Sequence, residues 1–176
     1  MTLETPPLIL SIQSHVAWGH VGNAAAVFPL QRLGFEVLPV HTVQFSNHTG
    51  YGQFRGQVFG ADHIREIIAG LRERGVLQRV SAVLSGYLGD AGTGAVILDA
   101  VGEIRRENPA VRYLCDPVMG DVGRGVFVNP AIPDFLRDQA MPNANIITPN
   151  QFEFELLTGS KPASVAEAVR TARLLR

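Results

Sequence analysis

The order of apolar and amphipathic segments predicts an α/β fold with a mainly parallel central sheet and helices on both faces. Three observations carry this. Short apolar runs of strand length alternate with longer segments whose apolar residues recur at helical spacing. Polar, glycine-bearing stretches follow several of the runs, where an open α/β sheet places its functional loops. The chain has 176 residues, 46% of them apolar, enough for one domain with a sizeable core.

In chain order, "LILSI" (8–12) reads as the first strand. "VGNAAAVFPLQRLG" (21–34) predicts a helix in which Pro29, lacking an N–H, bends the axis or marks an irregular turn. "FEVLPV" (35–40) is a second strand, and "HTVQFSNHTGYGQFRG" (41–56) reads as a polar strand-end loop. From Asp62 to about Arg74, Ile64, Ile67, Ile68 and Leu71 share one helical stripe. "VSAVLSG" (80–86) is a buried strand, residues 93–108 a helix, and "VRYLC" (111–115) another strand. "NANIITPN" (143–150) holds a short strand before "QFEFELLTG" (151–159), a short helix closed by Gly159. The last segment, "SVAEAVRTARLLR" (164–176), opens with a capping box from Ser164 to Glu167. It puts Val165, Ala168, Val169, Ala172 and Leu175 on one stripe. A helix covering a sheet needs something beneath it, so the expectation is that the chain is the front portion of a longer protein.

Composition removes several classes. Lys plus Arg number 15 against 16 for Asp plus Glu, a net charge of -1 without the positive field that a nucleic-acid backbone requires. No segment reaches 18 unbroken apolar residues, and the N-terminus lacks the basic region and long apolar run of a secretion signal, so no membrane and a cytoplasmic location are expected. The single cysteine, Cys115, has no internal partner and ends an apolar run, which predicts a buried, inert thiol. The only lysine, Lys161, lies in "GSKPAS", not in a GxxxxGK[ST] loop, and no GxGxxG follows the first strand. The 5 histidines match no zinc spacing.

Two stretches concentrate chemistry. "FSNHTGYG" gathers Ser46, Asn47, His48, Thr49 and Tyr51 with two glycines, and can surround a small polar aromatic ligand or be an ordinary loop. "CDPVMGD" (115–121) brings Asp116 and Asp121 to a strand end. Five residues apart in a loop, they do not establish an acid and base pair. An oxygen-rich loop of this kind suits hydrated Mg²⁺ bridging carboxylates to nucleotide phosphates. Glu153, three residues after Asn150, can face the same crevice, but helix capping accounts for both residues equally well. On the residues alone these readings stay open. "GDVGRG" (120–125) adds only a glycine-rich turn.

"SIQSHVAWGHVGNAAAVFPLQRLGFEV", "TVQFSNHTGYG", "LSGYLGDAGT", "CDPVMGD" with "GRGVFV", and "ITPNQFEFELLTG" together resemble the pyridoxal kinase family, in particular the bacterial pyridoxamine/pyridoxal kinase group of the ribokinase-like superfamily. The resemblance covers essentially the whole chain. It implies a three-layer ribokinase-like fold, of which residues 1–176 would be the N-terminal portion, in a cytoplasmic homodimer. It further implies transfer of the γ-phosphoryl group of ATP to the 5'-hydroxyl of pyridoxal, pyridoxine or pyridoxamine, with Mg²⁺ and a monovalent cation.

Residue by residue, the resemblance implies that Ser14 hydrogen-bonds the pyridine ring. Thr49 and Gly50, with the wall around Val43 and Phe45, form the other side of the ring site, and Tyr87 packs near the ring. Asp116, Asp121, Thr148, Asn150 and Glu153 fall on the ATP side, with Asp121, Asn150 and Glu153 organising Mg²⁺ largely through water. Trp18 is assigned to local packing. The family's proton acceptor is an aspartate in a late "GTGD"-type motif. No such motif occurs here, and "GDAGTG" (89–94) has the wrong order for Asp90 to serve. The expectation is therefore that the catalytic base lies beyond Arg176 and that the chain as given does not turn over. A hydroxymethylpyrimidine or sugar kinase and a noncatalytic vitamin-binding module are the rival readings.

Overall fold

Strand and helix alternate from the first described residues onward. The structure, a computed structural model, describes residues 6–174. The strands are β1 (Leu8–Trp18), β2 (Glu36–Asn47), β3 (Gly56–Val58), β4 (Val80–Ser85), β5 (Arg112–Cys115), β6 (Gly120–Asp121), β7 (Gly125–Val126) and β8 (Ile146–Ile147). The helices are α1 (Asn23–Arg32), α2 (Ala61–Glu73), α3 (Thr93–Glu107), α4 (Ala131–Phe135), α5 (Met141–Asn143), α6 (Gln151–Thr158) and α7 (Val165–Arg173). The main sheet has the order β3-β2-β1-β4-β5-β8, all parallel except β3, and β6-β7 forms a separate hairpin.

Parallel pairing needs crossovers, and the helices supply them on both faces. One face of β1, carrying Leu8, Leu10 and Ile12, packs against Ile64 and Ile68 of α2 and Ile97, Val101 and Ile104 of α3. Each such side chain contributes about 1.5–3 kcal/mol on full burial. Ile132, Leu136 and Ala140, from α4 and the π turn that follows it, complete this layer. The opposite face meets α1 through the polar residues Ser11 and Asn23. Cys115 is buried in the core, and burial pushes its thiol pKa up, which keeps it protonated.

Two expectations change, and one stretch not read from the sequence is helical. Residues 41–47 are strand rather than loop, and β1 continues to Trp18, because both chains remain paired past their apolar stretches. Residues 131–143 are helical although the sequence pattern is broken there by Pro133 and Pro142. The apolar stripe on α7 covers little: Val165 and Val169 are exposed, no residue of the helix is fully buried, and Leu175 lies outside the described residues. Trp18 is 70% exposed, its ring edge-on to Tyr51.

Gly70 in α2 and Gly102 in α3 sit in helix interiors where an added Cβ meets nothing within 4 Å. Gly70→Ala and Gly102→Ala should each stabilise the chain by about 1 kcal/mol by restricting the unfolded backbone. Thermal melting of the double variant should rise by about 4–8 °C over the parent.

Candidate functional site

The site begins as an irregularity between the two central strands. β1 and β2 pair in register up to Gln13 opposite His41, but the next pair is His15 opposite Gln44. β2 thus uses one more residue than β1 across this step, a bulge of the kind that redirects side chains. Ser14 and Val43 lie in the step, and both line a cavity of about 260 Å³ at the carboxyl ends of the strands.

Apolar walls come from Val16, Val21, Val43, Phe45, Val118 and Phe127. Polar groups are as numerous: Gln13, Ser14, His48, Thr49, Tyr87 and Asp116. This mixture suits a small ligand with an apolar body held by oriented hydrogen bonds. Phe45 is fixed from behind by Phe54, ring centroids 4.8 Å apart. His48 caps the turn Thr49–Tyr51, its Nδ1 accepting from the Gly50 N–H at 3.2 Å. The Tyr87 phenol is pushed up by burial, so it stays a hydrogen-bond donor at neutral pH.

Of the residues assigned to the ring side, Ser14, Val43, Phe45, Thr49 and Tyr87 share this cavity, whereas Gly50 is exposed and does not line it. Asp116 was grouped with the nucleotide side, yet it also lines the cavity. Burial raises its carboxyl pKa, opposed by the Thr148 hydroxyl, which donates to Oδ1 at 3.0 Å. Asp116 and Thr148 therefore form a seam between the two groups.

The remaining residues stand together beyond that seam. Asn150 and Glu153 make a complete capping box on α6, as capping chemistry predicts. Glu153 is buried, with Oε1 accepting from the Met119 N–H at 3.0 Å and Oε2 from the Asn150 N–H at 2.9 Å. Asn150 Nδ2 donates to the Gly120 carbonyl at 2.9 Å. Asp121 Oδ1 accepts from the Gly123 and Arg124 N–H groups at 3.0 and 2.8 Å, closing the β6-β7 turn. Among the described residues no three His, Cys, Asp or Glu side chains gather into a metal-holding cluster. With Glu153 engaged at both oxygens and Asp121 at one, the donor set fits a hydrated cation met through water, not a caged ion.

Sequence reasoning missed Gln13, Val16, Val21, Gly22, Val118 and Phe127 as lining residues. A period of two carried past Ile12 puts Ser14 and Val16 on the face of Leu8 and Leu10, and would have pointed to the continuing strand. Nothing local in the sequence marks Phe127, which arrives through the hairpin and lies under the Arg124 guanidinium at 4.7 Å.

Beside the cavity, His15 and His41 stack with centroids 4.4 Å apart. Burial, and then the neighbouring His15, lower the pKa of His41 below 6.5. A base depressed in the folded state contributes stability that is present above the unfolded pKa and lost as pH falls through the folded one. Urea midpoints should therefore fall from pH 7 toward pH 5, at about the range where an ordinary histidine titrates. In His41→Asn, which keeps a neutral acceptor, that fall should be shallower.

The chain matches the family model described as phosphomethylpyrimidine kinase over residues 63–176. It is 58% identical over 176 residues to the pyridoxal kinase PdxY of Deinococcus radiodurans, covering 100% of this chain and 59% of that protein. To the pyridoxal kinase PdxY of Granulibacter bethesdensis it is 59% identical over 167 residues, covering 95% of this chain and 58% of that protein. Among solved structures, pyridoxal kinase from Leishmania donovani in complex with ADP and pyridoxamine superposes with a TM-score of 0.90 at 35% identity, covering 96% of this chain and 58% of that one. Pyridoxal kinase from Entamoeba histolytica gives 0.89 at 28% identity, covering 97% and 60%. The chain thus spans 59% of the length of the first of these relatives.

Proposed function

This chain belongs to the phosphomethylpyrimidine kinase family, and from that premise we propose that the protein is of the pyridoxal kinase group and transfers the γ-phosphoryl group of ATP to the 5'-hydroxyl of pyridoxal and related B6 vitamers. One observation carries the reading. At the β1-β2 bulge a cavity of about 260 Å³ is lined together by Ser14, Thr49 and Tyr87 and by Val43 and Phe45.

In this reading Ser14 and Thr49 hydrogen-bond the ring, and Val43, Phe45 and Tyr87 exclude water from its faces. ATP lies beyond the Asp116–Thr148 seam, toward Asp121, Asn150 and Glu153. When bound, Mg²⁺ would supply positive charge to offset that of the phosphates. Asp121 and Asn150 would hold its water shell, while Glu153 acts through the backbone, tying Met119 and Asn150 in place. Gly50 shapes the turn beside the cavity rather than its wall. A monovalent cation near Asp116, a cytoplasmic location and a homodimer complete the proposal. Phe28 and Leu33, exposed along α1 and at its end, offer apolar surface for a second copy.

The name of the matching family favours one second reading, a hydroxymethylpyrimidine kinase. Calorimetric titration of the chain with pyridoxal, pyridoxine, pyridoxamine, hydroxymethylpyrimidine and ribose separates them. The B6 vitamers should bind in preference, and Ser14→Ala or Thr49→Val should weaken them about tenfold, the worth of a hydrogen bond. Preference for hydroxymethylpyrimidine or ribose sinks the assignment.

A further inference from the structure

Behind the cavity floor runs a chain of side-chain amides and a hydroxyl whose direction is set by the backbone. Asn23, the first residue of α1, is buried, and its Nδ2 lies 3.0 Å from the Val40 carbonyl, 3.3 Å from that of Ser11 and 3.4 Å from that of Gln13. Three carbonyls can be met only by an NH₂ group, so Asn23 cannot be turned over. Its Oδ1 must then accept, and the Ser11 hydroxyl donates to it at 2.7 Å. That leaves Ser11 Oγ needing a donor, which Gln13 Nε2 supplies at 2.9 Å.

The consequence falls on the other end of Gln13. Its side chain lines the cavity, and Oε1 has no donor among the described residues. The buried side-chain polar atoms left without a partner there are His15 Nδ1 and Thr93 Oγ1, so Oε1 is not sealed, and we read it as facing the cavity that the Gln13 side chain lines. Gly86 leaves that oxygen room: a Cβ there would stand 2.7 Å from Oε1 and 3.2 Å from Cγ. The polarity is also compatible with the far end of the chain, where Asn23 Nδ2 faces His41 Nδ1 at 3.0 Å; burial lowers the pKa of that ring, and its neutral tautomer protonated at Nε2 accepts there.

We propose that Gln13 is a specificity-determining residue whose Oε1, held as a fixed acceptor by Ser11 and Asn23, selects ligands that present a hydroxyl donor to the β1 edge of the cavity. The hydroxyls of Ser14 and Thr49 rotate and can serve as donor or acceptor. Gln13 cannot. A ligand lacking the matching O–H leaves this oxygen desolvated and unpaired, which is the situation in which a site discriminates strongly. The proposal rests on the reading that a B6 vitamer occupies the cavity.

The test is calorimetric titration of the chain and of Gln13→Met, which keeps length and volume but has no acceptor. The ligands are pyridoxine and analogues in which one hydroxyl at a time is replaced by hydrogen. For one analogue the unaltered chain should lose about ten- to a hundredfold in affinity. Gln13→Met should bind pyridoxine that much more weakly and then lose less than about twofold on removal of the same hydroxyl, the non-additivity of a direct contact. Equal losses in both proteins for every analogue overturn the assignment and leave the vitamer reading standing. Failure of the unaltered chain to bind any vitamer overturns both. If circular dichroism shows that Gln13→Met does not fold, the ¹³Cδ resonance of Gln13 in the unaltered chain decides. It should move with pyridoxine and not with the sensitive analogue, and an identical response to both overturns the proposal.

Discussion

Gly22→Ala should destabilise the chain by about 3 kcal/mol or more and abolish the vitamer binding proposed above. Gly22 has φ 53° and ψ -132°, a conformation that side-chain-bearing residues rarely adopt, and a Cβ there would lie 2.2 Å from the Ser14 carbonyl oxygen and 2.4 Å from Ser14 Oγ. Backbone strain of this kind costs about 1–3 kcal/mol, and overpacking against backbone adds about as much again. The neighbour cannot yield, because Ser14 sits in the bulge that opens the cavity. A chain of this size should lose about 6–12 °C in melting temperature, read by circular dichroism. Gly34→Ala is the control: φ is 90° but nothing lies within 4 Å of the added Cβ. It should show the strain without the clash and leave ligand affinity unchanged. Equal losses of stability and affinity in the two variants would show that the close approach of Gly22 to Ser14 carries no weight.

The same corner shows what the sequence made legible. The strand-helix order, the central strands and the amphipathic α2 and α3 follow from period and apolar content, since these elements bury one face against a common core. The readings stopped at Ile12 and Val40 because Gln13, Ser14, His15, His41 and Thr42 look like loop. They are strand, and they can be, because Asn23 enters from α1 to satisfy Ser11, Gln13 and Val40. Polar residues in a buried strand need partners from another element, and that pairing is invisible to a local window. Likewise the family resemblance grouped Ser14, Val43, Phe45, Thr49 and Tyr87, but the entry of Asp116, Val118 and Phe127 into the same cavity depends on how residues 115–127 fold back. Two backbone contacts make that return, the Phe127 N–H on the Met119 carbonyl at 3.0 Å and the Asp116 N–H on the Ser85 carbonyl at 2.9 Å.

Gly120→Ala should break that return and cost about 3 kcal/mol, with loss of the cavity wall formed by Phe127. Here φ is not positive, so the cost is one of space. A Cβ on residue 120 would stand 2.4 Å from the Gly125 carbonyl oxygen and 2.6 Å from Phe152 Cε1. Phe152 can give way, but Gly125 is the backbone partner across the β6-β7 hairpin, and its retreat would open the pairing of Gly120 with Val126 and of Asp121 with Gly125. Two bonds would go with it, the part-buried one from Asn150 Nδ2 to the Gly120 carbonyl and the buried one from the Met119 N–H to Glu153, the latter worth about 1–3 kcal/mol if a buried group is left unpaired. Chemical denaturation should therefore show a loss larger than overpacking alone, about 1–3 kcal/mol, would give. Gly123→Ala, three residues on, meets only Asp121 Oδ1 at 3.6 Å and should be close to neutral. If Gly120→Ala is equally mild, the two carboxylates of "CDPVMGD" do not depend on the hairpin for their positions. If it is severe, the backbone bonds of Asp121 and Glu153 are what hold the loop on which any nucleotide contact of Asp116 must rest.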